Sequence, residues 1–136
     1  MRIEILYPDL CSLFGDSGNV RYLKLCIPDA EYICTTLNDR PAFADGNADM
    51  IYMGAMTEKT RQKVINHLLP YKEQLQNASD SGKVILFTGN AMDVLFRYIE
   101  TDDGSRVEGL GILDMYARQR LMERYNTLVL AKFQDK

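Results

Sequence analysis

The chain has 136 residues, enough for one domain with a real core and too few for two comfortable ones. Hydrophobic content of 46% and charged content of 26% are those of an ordinary soluble globular protein. A net charge of −3 with scattered basic residues offers no basic face for nucleic acid, and no apolar run approaches the ~20 residues that span a bilayer. The N-terminus enters a strand without a basic start or a long apolar core, so neither a signal peptide nor a membrane is expected, and the setting is cytoplasmic. Cys11, Cys26 and Cys34 form no CxxC pair and His67 is the single histidine, so no metal or other cofactor is expected. The cysteines read as buried free thiols in a reducing compartment.

Taken in order, Arg2 to Tyr7 alternates Ile3, Ile5 and Tyr7 with charged residues and reads as a strand, which Pro8 ends. Residues 9–19 form a polar loop, and a helix is predicted over about 19–26, with Val20 and Leu23 on one face. The start of that helix offers free N–H groups to an anion, but Gly15 and Gly18 make neither nucleotide fingerprint, so a structural loop is the plainer reading. Glu31 to Thr35 is a second strand, 38–47 a loop, and Met50 to Met53 a short buried strand that ends at Gly54-Ala55-Met56. Thr57 is placed to cap a long helix carrying Val64, Ile65, Leu68, Leu69 and Leu75, which Pro70 should kink or break. His67 lies in this helix with no acidic or nucleophilic neighbour in view and reads as a surface or half-buried residue.

Val84 to Phe87 is apolar on both faces and reads as a fully buried parallel strand. Thr88-Gly89-Asn90 then turns a tight corner into a helix with Met92, Leu95, Phe96 and Ile99 at helical spacing and Asn90 as its cap. Strand, corner and helix together are the geometry in which many α/β enzymes present a nucleophile. Beyond it, Asp103-Gly104 signals a hairpin, and the glycine-punctuated stretch 107–114 should press closely on another element. Residues 118–125 read as a short helix or exposed loop, and 127–133 as a last strand.

Strands alternating with helices predict an α/β fold with an open, mostly parallel sheet, organised as a single domain over 1–136. Ligands of such sheets sit beyond the carboxyl ends of the strands, here residues 8–19, 54–57 and 88–90. The candidate site residues are therefore Asp9, Asp16 and Asn19, then Gly54, Ala55 and Met56, then Thr88, Gly89 and Asn90.

Five stretches carry a family resemblance: Tyr7-Pro8-Asp9-Leu10, Leu13-Phe14-Gly15-Asp16-Ser17-Gly18-Asn19-Val20, Ile51 to Met56, Val84 to Leu95, and Gly109-Leu110-Gly111-Ile112-Leu113-Asp114. In this order they resemble the class I glutamine amidotransferase domains of the cobyric acid synthase type, and especially the glutaminase subunits of lipid II isoglutaminyl synthase. The resemblance implies a three-layer sheet of flavodoxin or Rossmann type, glutamine as ligand, and a ligase or synthetase partner that uses the released ammonia. It also implies a nucleophilic cysteine at the corner, an oxyanion loop built on a glycine triplet, and a histidine on a later segment beyond Lys136. Here the cysteine position is Thr88 and the triplet has become Gly54-Ala55-Met56, so both catalytic motifs are eroded.

A threonine hydroxyl needs an adjacent base, and the sequence shows none beside Thr88. A nucleophile corner is also costly for a β-branched residue, which predicts a relaxed backbone with the hydroxyl bonded locally. Nothing marks Cys11 as an activated thiol. Three readings stay open: a catalytically degenerate binding or partner-docking domain, a fragment or atypical form of an active glutaminase, and an unrelated α/β small-molecule binder lined by Asp9, Asp16 and Asp93. A sheet left incomplete at its C-terminal side would expose an edge and an apolar face, so self-association is expected.

Overall fold

Four short apolar runs line up as parallel strands in the computed structural model, which describes residues 1–123, 128–132 and 134. Strands β1 (Arg2–Leu6), β2 (Glu31–Thr35), β3 (Met50–Met53) and β4 (Val84–Phe87) form one sheet in the order β2-β1-β3-β4. The register sets Ile3 between Tyr32 and Met50, and Tyr52 beside Leu86. Helix α1 (Asp16–Cys26) covers one face, where Val20, Leu23 and Ile27 pack on Ile3, Ile5, Met50 and Tyr52. Helices α2 (Glu58–Leu68) and α3 (Lys72–Asp80) cover the other with Val64, Ile65, Leu68 and Leu75 over Leu6, Ile51 and Met53. The result is an open three-layer α/β fold. Thr57 caps α2 by accepting the Thr60 N–H, and a 3₁₀ turn at Leu69–Tyr71, holding Pro70, separates α2 from α3.

The polar alternation of β1 hides its central feature. Glu4 points to the face opposite Ile3 and Ile5, and that face is buried too: Glu4 is 0% exposed. Its carboxylate accepts the Thr35 hydroxyl at 2.6 Å and the N–H groups of Ala42 and Phe43 at 2.7 and 2.8 Å. It thereby ties β1 to the end of β2 and to the 3₁₀ turn Ala42–Asp45.

Strand β4 is not fully buried. Val84 and Leu86 stand opposite Met50 and Tyr52 on the α1 face, but α1 covers β1 and β3 only, leaving them 53% and 40% exposed. Among the described residues no strand pairs with the outer edge of β4. An apolar edge without a guarding charge invites pairing. Concentration-dependent self-association is therefore expected by light scattering, and Val84→Lys should reduce it; a wild-type monomer at high concentration would count against it.

The helix expected after Asn90 does not form. Residues Gly89–Leu95 are a 3₁₀ run, and Ile99 lies in strand β5 (Tyr98–Glu100). The carbonyls of Val94, Leu95 and Phe96, which a helix would need, accept the N–H groups of Leu110, Ile112 and Gly111 instead. This is the close approach expected of the 107–114 stretch: a Cβ on Gly109 would lie 2.2 Å from the Phe96 carbonyl oxygen. Strand β5 pairs antiparallel with β6 (Arg106–Glu108) through the Asp-Gly hairpin and parallel with β7 (Tyr116–Arg118), so the segment read as helix or loop opens on one strand residue, Arg118, and is loop over 119–123. Residues 128–132 carry no strand, and the rest of the predicted last strand, residues 127 and 133, lies outside the described residues. Cys11 is buried as expected, whereas Cys26 and Cys34 are exposed. Among the described residues no helix is long and apolar enough to cross a membrane.

Candidate functional site

The carboxyl ends of β1, β3 and β4 converge because Gly54 lets two loops touch. A Cβ there would stand 2.1 Å from the Cys11 carbonyl oxygen and 2.6 Å from the Asp16 Cβ, so only glycine admits this crossing. The contact brings Asp16, the first residue of α1, under the Thr88 corner. Helix α1 thus begins three residues before the predicted start, with a buried carboxylate where an anion would have to sit.

Thr88 donates its hydroxyl to Asp16 Oδ1 at 2.8 Å. The same carboxylate accepts the backbone N–H of Phe14 at 3.2 Å and lies against that of Ala55. Burial alone would raise the Asp16 carboxyl, but these hydrogen bonds, led by that from Thr88, outweigh it and hold it below the usual carboxylate range. The Tyr52 hydroxyl donates to the Asp16 carbonyl at 3.3 Å and accepts from Asn19 Nδ2 at 3.1 Å. Thr88 itself is extended, with φ −102° and ψ 145°, and the positive φ of the corner falls on Gly89 at +57°. The relaxed backbone agrees with expectation. The partner of its hydroxyl is not local, however, and a carboxylate does lie in reach where none was expected.

Asn90 is not a helix cap. Its Oδ1 accepts the Met56 N–H at 3.0 Å, and its Nδ2 donates to the Met56 carbonyl at 2.7 Å, so one amide clamps both backbone groups of that residue. Gly89 packs under the same loop, where a Cβ would meet Ala55 Cβ at 3.1 Å. Seven of the nine candidates are thus brought together; Asn19 joins them through Tyr52, whereas Asp9 is exposed apart.

The other reactive groups are engaged elsewhere. Cys11 is buried with Sγ 3.9 Å from Met56 Sδ; burial, with Asp16 and Asp9, pushes its thiol up to about 12. His67 Nδ1 is bonded at 2.8 Å to the hydroxyl of Tyr7, a buried residue held at φ +53°, so His67 has a partner and it is not Thr88. Asp93 pairs with buried Arg61 at 3.1 Å, and burial raises its carboxyl despite that cation. Asp16 and Asp93 line different cavities, so the three aspartates do not form one acidic pocket. Among the described residues no group of three or more His, Cys, Asp and Glu side chains is placed to hold a metal ion.

Sequence reasoning missed Glu4, Arg61 and Gln119, whose Oε1 accepts from Arg61 Nη2 at 2.7 Å. Arg61 had a readable signal: it falls at the spacing of Val64, Ile65 and Leu68, a charge on the apolar stripe of α2.

No family model matches the chain. The chain is similar to the lipid II isoglutaminyl synthase (glutamine-hydrolyzing) subunit GatD of Streptococcus pneumoniae, at 24% identity over 127 residues. The aligned stretch is 92% of this chain and 49% of that protein, so the chain spans about half the length of the curated relative it matches. The similarity supports a glutamine-amidotransferase-like relationship for this α/β chain.

Proposed function

We propose that this chain is a glutamine-amidotransferase-like domain of the cobyric acid synthase type that does not hydrolyse glutamine, and serves as a binding or partner-docking module in the cytoplasm. One observation carries the reading: at the oxyanion loop position the Met56 N–H is already taken by the Asn90 side chain at 3.0 Å, and the Asp16 carboxylate lies against the neighbouring Ala55 N–H. Amide hydrolysis needs such donors aimed at the developing oxyanion, and removing one typically costs about 10²–10³ in rate. The nucleophile position supports the same reading. Thr88 donates its hydrogen bond to a carboxylate whose pKa is depressed, which makes Asp16 a poor general base. Glutamine or another small molecule remains the ligand class on this reading. A synthetase or ligase partner is supported by the relative's being a synthase subunit.

The test is glutamate and ammonia release from glutamine, with Thr88→Ala as control. No release is expected from the wild type, nor from Thr88→Cys, because a thiol alone restores neither the donors nor a histidine. Release that vanishes in Thr88→Ala, or any release by Thr88→Cys, would overturn the reading. A second reading, an active glutaminase completed by polypeptide outside residues 1–136, is favoured by the half-length match alone. Release by this chain only after addition of the remaining polypeptide would select it.

A further inference from the structure

A cavity of about 290 Å³ opens beside Asn90 and Met56, at the amino end of α2, and is lined by Arg61, Arg118 and Arg120 against Glu58 and Asp93. Arg61 is the built part of it. The residue is 4% exposed, its Nη1 donates to Asp93 Oδ2 at 3.1 Å, and its Nη2 donates to Gln119 Oε1 at 2.7 Å. Its Nε has no hydrogen-bond partner among the described residues although it is fully buried. A buried donor left unmade is costly, and a guanidinium edge formed by Nε and Nη2 matches the two oxygens of a carboxylate. That edge here holds only one neutral amide oxygen, so Gln119 occupies half of a carboxylate's place.

The charges around the edge narrow the ligand further. Both lining carboxylates are engaged, Asp93 by Arg61 and Glu58 by a partner of its own, and of the lining guanidiniums Arg118 is itself paired with Glu100 at 3.4 Å. An α-ammonium group would therefore find no uncommitted carboxylate, whereas a second anionic group would find Arg120 on the exposed rim. The amino end of α2 favours negative charge as well. Met56 and Phe14 supply apolar wall for a short carbon chain.

We propose that this cavity binds a small dicarboxylate, one carboxylate on the Nε–Nη2 edge of Arg61 in place of the Gln119 amide and the other toward Arg120. The inference rests on the binding-module half of the function proposed above and names its ligand class.

Isothermal titration of the intact chain with glutarate and with L-glutamine tests it. Glutarate should bind at least about tenfold more tightly than glutamine. Gln119→Glu, which supplies the missing carboxylate from within, should weaken glutarate at least about tenfold while raising the melting temperature. Arg120→Ala, an exposed change that leaves the fold alone, should weaken glutarate about fivefold at unchanged melting temperature. Glutamine binding as tight as glutarate, no glutarate binding, or unaltered affinity in Gln119→Glu would each overturn the proposal. Glutamate release in a parallel assay would overturn the non-hydrolytic reading instead, and the glutarate titration would still decide this one.

Discussion

Replacing Glu4 by alanine is expected to cost about 3–5 kcal/mol of stability, read as a lower urea midpoint at unchanged slope. Three donors end on this carboxylate: the Thr35 hydroxyl and the N–H groups of Ala42 and Phe43. Alanine removes all three acceptances at once and leaves a void in a region from which water is excluded. The backbone donors cannot turn elsewhere without unwinding the 3₁₀ turn Ala42–Asp45, which is what they would do. Glu4→Gln separates charge from geometry. It keeps one oxygen and the volume but aims an NH₂ group at a donor, so an intermediate cost of about 2 kcal/mol is expected. A loss below about 1 kcal/mol in the alanine variant would show that the turn is held by its own packing, with Phe43 as anchor.

Gly54→Ala should have an effect of similar or greater size, through sterics alone. The new methyl would sit 2.1 Å from the Cys11 carbonyl oxygen and 2.6 Å from the Asp16 Cβ, and neither is the movable tip of a long side chain. The first loop would have to part from β3, taking Asp16 away from Thr88 and Ala55. At least about 3 kcal/mol is expected to be lost, enough to deplete the folded state of a marginal domain. Gly18→Ala is the matched control: it lies in the first turns of α1 with nothing within 4 Å of the added Cβ. Alanine there should be neutral or stabilise by up to about 1 kcal/mol. Thermal unfolding of the two variants side by side checks both; near-equal melting temperatures would refute the crowding argument.

Much of the fold was legible because local signals and tertiary context agreed. The strands at 31–35 and 50–53, the Thr57 cap, the break at Pro70 and the Asp-Gly hairpin all follow from residue chemistry that tertiary packing did not override. The stretch 84–96 misled for two separate reasons. Val-Ile-Leu-Phe is what the interior of a parallel sheet wants, but periodicity cannot tell an interior strand from one that, among the described residues, lies at the sheet's edge. The helical spacing of Met92, Leu95, Phe96 and Ile99 was outbid by residues 110–112, whose N–H groups claim the carbonyls the helix needed. In the site, the three loops were readable from topology. The bond from Asp16 to Thr88 spans 72 residues of sequence and the Asn90 clamp spans 34, so no local pattern announced that the loops would be closed by their own side chains.

Strand β1 has a consequence for the order in which the chain matures. It precedes every one of its partners in sequence, yet it lies in the interior of the sheet, between β2 and β3. During synthesis, residues 2–6 must wait with apolar side chains uncovered until 31–35 and then 50–53 emerge. Glu4 waits longer than its own ladder, since the turn it holds lies at 42–45. Once that turn arrives, the carboxylate ties β1 to the end of β2 and to the turn itself. The residue that looks like a solvent-facing interruption of β1 is thus the latch that closes last, between that strand, the end of β2 and the turn at 42–45.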